Sequence, residues 1–200
     1  MNYRIMYALG ITPWERMAHP QAPVGEQISR LFAREESDRQ QPFGRALDVG
    51  CGSGIWAVKL AQRGWDVTGI DFVSKAVRRA RKRAEEAGVD ANFVQGDATT
   101  LTAGVGDGFR FILDFGCFHD ALTDEQRAAE GREVTAVAAA DAALLMIAWT
   151  PVRRRMLPRG AKPERHRGGL PRMEGGRRGG RRHDRCPRLR PEGRAALLSA

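Results

Sequence analysis

Cysteine is scarce in this chain: Cys51, Cys117 and Cys186 are far apart, and no His or Cys stands near them at the spacing of a metal site. A disulfide framework and a structural zinc are therefore excluded as expectations, and a reducing compartment suits the composition. Long apolar runs are also missing. The stretch from Ala136 to Trp149 is interrupted by Asp141 and is shorter than the roughly 20 residues that a spanning helix needs. No segment combines a basic start, an apolar centre and a small-residue cleavage site. These features predict a cytoplasmic protein without a membrane partner and without a bound metal.

Bulky residues are missing from one end. After Arg155 there is no Phe, Tyr, Trp or Ile, and residues 151–200 contain 8 Gly. Such a segment lacks the β-branched and aromatic groups that build buried strands. Its charge is equally lopsided: 15 Arg and 1 Lys against 4 acids give +12 of a total of +9, which leaves −3 for residues 1–150. The basic character thus belongs to an Arg/Gly-rich tail that is expected to be disordered and to touch nucleic acid, if at all, weakly and through phosphates. It also has the look of a stretch translated in another reading frame.

What is present is concentrated in the middle. Residues 46–54, Ala46-Leu-Asp-Val-Gly-Cys-Gly-Ser-Gly54, carry a short apolar run into a glycine cluster. A helical segment follows to Arg63-Gly64, and a second apolar run, Trp65-Asp-Val-Thr-Gly-Ile-Asp71, ends on an acid. Strand, glycine loop, helix, strand and terminal carboxylate in that order mark a nucleotide site in an open α/β sheet. The spacing is G-x-G-x-G, with Ile55 where a dinucleotide fingerprint has its third Gly. Asp48 also suits a cation better than a pyrophosphate, because like charges in a partly dry site are costly.

With Gln95-Gly-Asp-Ala98 after the third strand, this set resembles the nucleotide-binding half of the class I S-adenosylmethionine-dependent methyltransferases. Leu113-Asp-Phe-Gly-Cys-Phe-His-Asp120 is similar to the small-molecule enzymes near the thiopurine and tellurite-resistance groups. The resemblance covers roughly residues 1–150. It implies a Rossmann-like sheet, S-adenosyl-L-methionine as cofactor and a small-molecule methyl acceptor. A remnant that binds the cofactor without turning over, and a nucleic-acid binder using the tail, are the alternatives.

The resemblance also assigns residues. Gly50, Cys51, Gly52 and Gly54 form the cofactor loop, and Asp48 stands beside the methionyl amine or pairs with loop amides. Asp71 takes the ribose hydroxyls, for which two acceptor oxygens are suited, and Phe72 flanks the adenine. Asp97 accepts from the adenine amine, with the Ala98 amide near a ring nitrogen. Asp114 lies either near the transferable methyl or capping the turn at Gly116, and His119 is a candidate base because imidazole titrates near neutrality.

Three units follow from this reading: a helical arm or lid over residues 1–40, a cofactor-binding domain over 41–150 and the basic segment 151–200. Within the arm, Tyr3, Tyr7 and Trp14 are the candidates to close over a ligand. Helices are expected over 24–34, 54–62 and 74–87, and from the capping box at Thr123-Asp-Glu-Gln126. The fifth strand is expected over 142–149. Families with this pattern complete their sheet with a helix and an antiparallel strand pair, and residues 151–200 show no such pattern, so the sheet is expected to be incomplete at that edge.

Overall fold

The computed structural model describes residues 2–19, 22–118, 123–148, 188–189 and 193–199. Three helices come first, α1 (Tyr3–Leu9), α2 (Pro13–Met17) and α3 (Pro23–Ser37). They are followed by β1 (Arg45–Val49), α4 (Ile55–Gln62), β2 (Asp66–Asp71), α5 (Ser74–Ala87) and β3 (Asn92–Gln95). A 3-10 turn at Ala98–Ala103 leads to β4 (Phe109–Phe115), α6 (Asp124–Val137), β5 (Ala138–Ala148), β6 (Arg188–Leu189) and β7 (Gly193–Ser199). The alternation of strand and helix yields a parallel sheet over β1 to β5, as right-handed crossovers require.

Strand order is β3-β2-β1-β4-β5-β7-β6. The order reverses at β1, with β2 on one side and β4 on the other. A crevice therefore opens where the loops after β1 and β4 diverge, which is where open α/β sheets bind ligands.

Period-two alternation divides the strands between two cores. Ala46, Phe111, Leu113, Leu145 and Ile147 pack with α3, α4 and α5. Leu47, Val49, Ile112, Leu144 and Met146 face the other side, toward Val134 and Val137 of α6. Strands buried on both faces read as continuous apolar runs, and that is the character of β5. Phe32 illustrates the packing: it is 1% exposed and meets Trp56 and Phe111 edge-on at 5.7 and 5.6 Å. Truncating a buried Phe of this kind costs about 3 to 5 kcal/mol.

Helix ends follow local chemistry. Thr123 and Gln126 form the expected capping box at the start of α6. Helix α5 ends at Gly88 in the left-handed conformation. Its Arg78, Arg81, Lys82 and Arg83 are exposed, yet two of them do structural work. Arg81 donates to the Phe93 carbonyl at 2.6 Å, and Arg83 donates to the Ser53 carbonyl at 2.8 Å, holding the helix to the glycine loop.

Helix α3 extends past the expected Arg34 to Ser37. The extra turn is held from outside the helix: Glu36 accepts from Arg63 and from the Trp65 indole, contacts no local periodicity encodes. Beyond β5 the structure adds strands where the sequence suggested none. β7 runs parallel to β5 from Ala143↔Arg194 to Ala148↔Ser199, and β6 is antiparallel to β7. Backbone pairing along an open edge does not require aromatic or β-branched side chains, so Ala and Leu suffice at 195–198. Residues 149–187, between β5 and β6, where a closing helix is expected to be missing, lie outside the described residues.

Candidate functional site

A cavity of about 280 Å³ lies over the carboxyl ends of β1, β2 and β3 and beneath the N-terminal helices. The glycine loop forms its floor. Gly52 has φ +55°, and a Cβ there would stand 2.8 Å from the Tyr7 hydroxyl. Gly54 has φ +76°, and a Cβ there would meet Ala80 Cβ and Cα at 2.8 and 3.0 Å, so α4 and α5 approach closely only because that side chain is missing. Left-handed backbone at both positions favours glycine.

Asp71 ends β2 and ties two loops. Its Oδ2 accepts from the Gly52 amide at 2.9 Å and its Oδ1 from the Val73 amide at 2.8 Å. Each oxygen has a second lone pair, and the residue lines the cavity. Burial raises its pKa while the two amides pull it down. Phe72, beside it, lines the cavity with 44% of its surface exposed. At the next strand end Asp97 lines the cavity with Ala98, and its Oδ1 accepts from the Thr99 amide and hydroxyl at 2.8 Å each. The turn-capping role is thus real and uses one oxygen.

Asp48 is the most unusual of the expected residues. It is 2% exposed, lines the cavity, and its Oδ2 is buried without a hydrogen-bond partner. Burial pushes its carboxyl up to about 8 against the pull of the Ala57 amide. An orphaned acceptor under a glycine loop is costly unless a donor arrives.

Asp114 occupies a different place from the other acids. Both of its oxygens cap the following turn, Oδ1 accepting from Cys117 N at 2.7 Å and Oδ2 from Phe118 N at 3.0 Å. It lies behind the cavity wall, while Gly116, Cys117 and Glu130 of α6 line the cavity itself. Burial raises Asp114, and the amides of Cys117, Phe118 and Gly116 oppose the rise. Burial likewise pushes the Cys51 and Cys117 thiols well up, so neither is a ready thiolate. His119 lies outside the described residues.

The N-terminal helices roof the cavity. Trp14 Nε1 donates to the Tyr7 hydroxyl at 3.5 Å, and Tyr3 meets Trp14 and Phe72 edge-on at 5.0 and 6.3 Å. Tyr7 also packs on Val73 and Ala76. The arm is therefore both anchored and in contact with the cavity. Trp56, Glu15, Gln126 and Glu130 line the site without having been singled out in the sequence. Glu130 was legible in one respect: it stands four residues before Val134 and seven before Val137, on the inward face of the helix.

A family model described as "Methyltransferase domain" matches residues 46–141. Residues 46–141 are thus similar to a methyltransferase domain. The chain is 50% identical over 54 residues to a ubiquinone biosynthesis O-methyltransferase of Pectobacterium carotovorum subsp. carotovorum (strain PC1), a match covering 26% of this chain and 23% of that protein. It is 40% identical over 68 residues to an S-adenosyl-L-methionine-dependent Diels-Alderase of Neonectria sp. (strain DH2), covering 34% of this chain and 28% of the other. The chain thus spans about a quarter of the length of these curated relatives. Among solved structures, magnesium protoporphyrin IX methyltransferase from Synechocystis PCC 6803 with bound SAH matches with a TM-score of 0.54 and 20% identity, over 66% of this chain and 64% of that one. That likeness shows the fold.

The residues lining the cavity are compatible with S-adenosylmethionine: the Asp48 Oδ2 without a partner is an acceptor that an ammonium would satisfy. They fit it also on Asp71, whose remaining lone pairs suit a diol. Among the described residues no group of three or more His, Cys, Asp and Glu suits a metal ion, and no helix is long and apolar enough to cross a membrane.

Proposed function

We propose that this chain is a methyltransferase that uses S-adenosylmethionine to methylate a small molecule. The observation that carries the reading is Asp48: a buried carboxyl oxygen without a donor, under a glycine loop and on the strand next to the one that Asp71 ends. A nicotinamide dinucleotide brings a pyrophosphate to such a loop. Asp48, once ionised, would repel it, whereas an ammonium beside it would favour the ionised form and pair with it.

In this reading Asp48 holds the methionyl amine, Asp71 the ribose hydroxyls and Asp97 the adenine amine, with Phe72 against the ring and the Ala98 amide at its edge. Gly50, Cys51 and Gly52 bring backbone close to the ligand. Bound S-adenosylmethionine supplies a methyl group on a sulfonium, already a good leaving group. The protein's part is then positioning and exclusion of water. Tyr3, Tyr7 and Trp14 shut the cavity from above. Asp114 acts by holding the turn that carries Gly116 and Cys117 into the wall. The narrower likeness to the thiopurine and tellurite-resistance groups rests on residues 113–120 alone.

Calorimetry of the full chain with S-adenosylmethionine, S-adenosylhomocysteine and NAD tests the assignment. Both adenosyl ligands should bind and NAD should not. Binding of NAD alone rejects it.

A further inference from the structure

Five carboxylates line the cavity, Glu15, Asp48, Asp71, Asp97 and Glu130, and among the described residues no Lys, Arg or His lines it. The proposed function uses three of them. Glu15 and Glu130 are left, each with Oε1 buried and without a hydrogen-bond partner, and Glu130 is the more deeply enclosed of the two at 2% exposed.

Its location follows from its neighbours. Glu130 lies beside the side chains of Cys117 and Asp114 at the end of β4. Helix α6 also packs on the turn that follows Asp97, where Thr102 donates to Glu133, so Glu130 stands where the carboxyl ends of β4 and β3 meet the cavity. Cys117 presses on the glycine loop, since a Cβ on Gly50 would lie 2.8 Å from Cys117 Cβ. Arg127, one turn earlier on α6, is ion-paired with Asp124 at 2.8 Å. The charges that Glu130 feels are those of Asp114 and, more weakly, Asp97, both negative, and with burial they push its carboxyl well up. Among the described residues that line the cavity, none brings it a cation. The same cavity also presents aromatic faces, those of Trp56 and Phe115, with ring centroids 5.9 Å apart. Acid and aromatic together are the surroundings that hold an ammonium.

Resting on the methyltransferase reading, we propose that Glu130 is a specificity-determining residue that binds a positively charged amine on the methyl acceptor, and that the cavity rejects anionic acceptors. The carboxylate faces the ammonium directly. The other four acids add a field of the same sign, which favours cations of any shape, whereas Glu130 fixes where the charge sits.

The test uses the full chain saturated with S-adenosylhomocysteine and three probes of one ring size: tyramine (cation), 4-ethylphenol (neutral) and 4-hydroxyphenylacetate (anion). Calorimetry should give tyramine the tightest binding, by about tenfold or more over the anion. Glu130→Gln should remove most of that preference, and Glu15→Gln should leave most of it. Equal affinity for the three probes, no binding by any, or preference for the anion overturns the proposal. So does an equal loss in both variants, which would assign the preference to the diffuse field. The wild-type comparison stands even if Glu130→Gln fails to fold. If S-adenosylhomocysteine itself does not bind, the methyltransferase reading fails first, and that outcome is distinct from the others.

Discussion

The Asp71 carboxylate joins the two loops that form the cofactor end of the cavity, accepting from Gly52 N at 2.9 Å through one oxygen while the other holds Val73 N at 2.8 Å. A residue expected to bind ligand is therefore also a clamp. Charge-assisted bonds of this kind contribute about 1.5 to 3 kcal/mol each.

Asp71→Ala should accordingly lower thermal stability and weaken S-adenosylhomocysteine binding by about tenfold or more. Asp71→Asn keeps an acceptor for one amide, so it should recover part of the stability while leaving affinity low. Melting curves and calorimetry on both variants check this. Parent-like affinity in Asp71→Ala would reduce the residue to its clamp role.

Asp48 should oppose stability and favour binding. Its folded pKa lies near 8, above the ordinary carboxylate value. Across the window between those values the folded chain retains a proton that the unfolded chain has released, so its contribution to stability falls as pH rises from about 4 to about 8. Asp48→Asn should therefore melt higher than the parent at pH 8, by a margin that shrinks toward pH 5. The same variant should bind S-adenosylmethionine at least about tenfold more weakly. A variant less stable at pH 8, with unchanged affinity, would assign Asp48 to structure.

Two glycines should separate by phenotype. Gly52→Ala places a Cβ against the end of the Tyr7 side chain, which can move, whereas Gly54→Ala places one against the Ala80 backbone, which cannot. Gly52→Ala should mainly reduce ligand affinity. Gly54→Ala should mainly lower the melting temperature, by overpacking that typically costs about 1 to 3 kcal/mol. Identical effects on both quantities would contradict the separation.

Trp14→Ala removes the donor to Tyr7 and the edge contact with Tyr3. Opening the roof in this way should raise the dissociation constant for S-adenosylhomocysteine about fivefold to fiftyfold, in line with the few kcal/mol of a buried aromatic contact. The core should melt as before, because α1 and α2 pack mainly on the start of α5. Calorimetry beside a melting curve distinguishes a lid from an arm needed for folding.

Truncation after residue 187 removes β6 and β7 and exposes the backbone of β5 from Ala143 to Ala148. An apolar strand left at an edge associates. The truncated chain should elute as larger species in size-exclusion chromatography as concentration rises, while the full chain elutes at constant volume.

The sequence by itself determined the alternation of strand and helix and the line of strand-end residues Gly50, Asp71 and Asp97, while β5, expected over 142–149, runs over Ala138–Ala148. Period-two and period-3.6 patterns are local, and glycine and acid at strand ends are visible without any partner. It placed α5 at its observed ends for the same reason. Tertiary structure decided what the side chains share. Asp114 and Glu130 are 16 positions apart, and only the packing of α6 against β4 turns one into a cap and brings the other to the cavity wall. Tyr7 over Gly52 and β7 along β5 are of the same kind, since a close approach between distant segments leaves no periodic trace in either one. The extra turn of α3 likewise depends on Arg63 and Trp65, which reach Glu36 only once β2 has paired with β1.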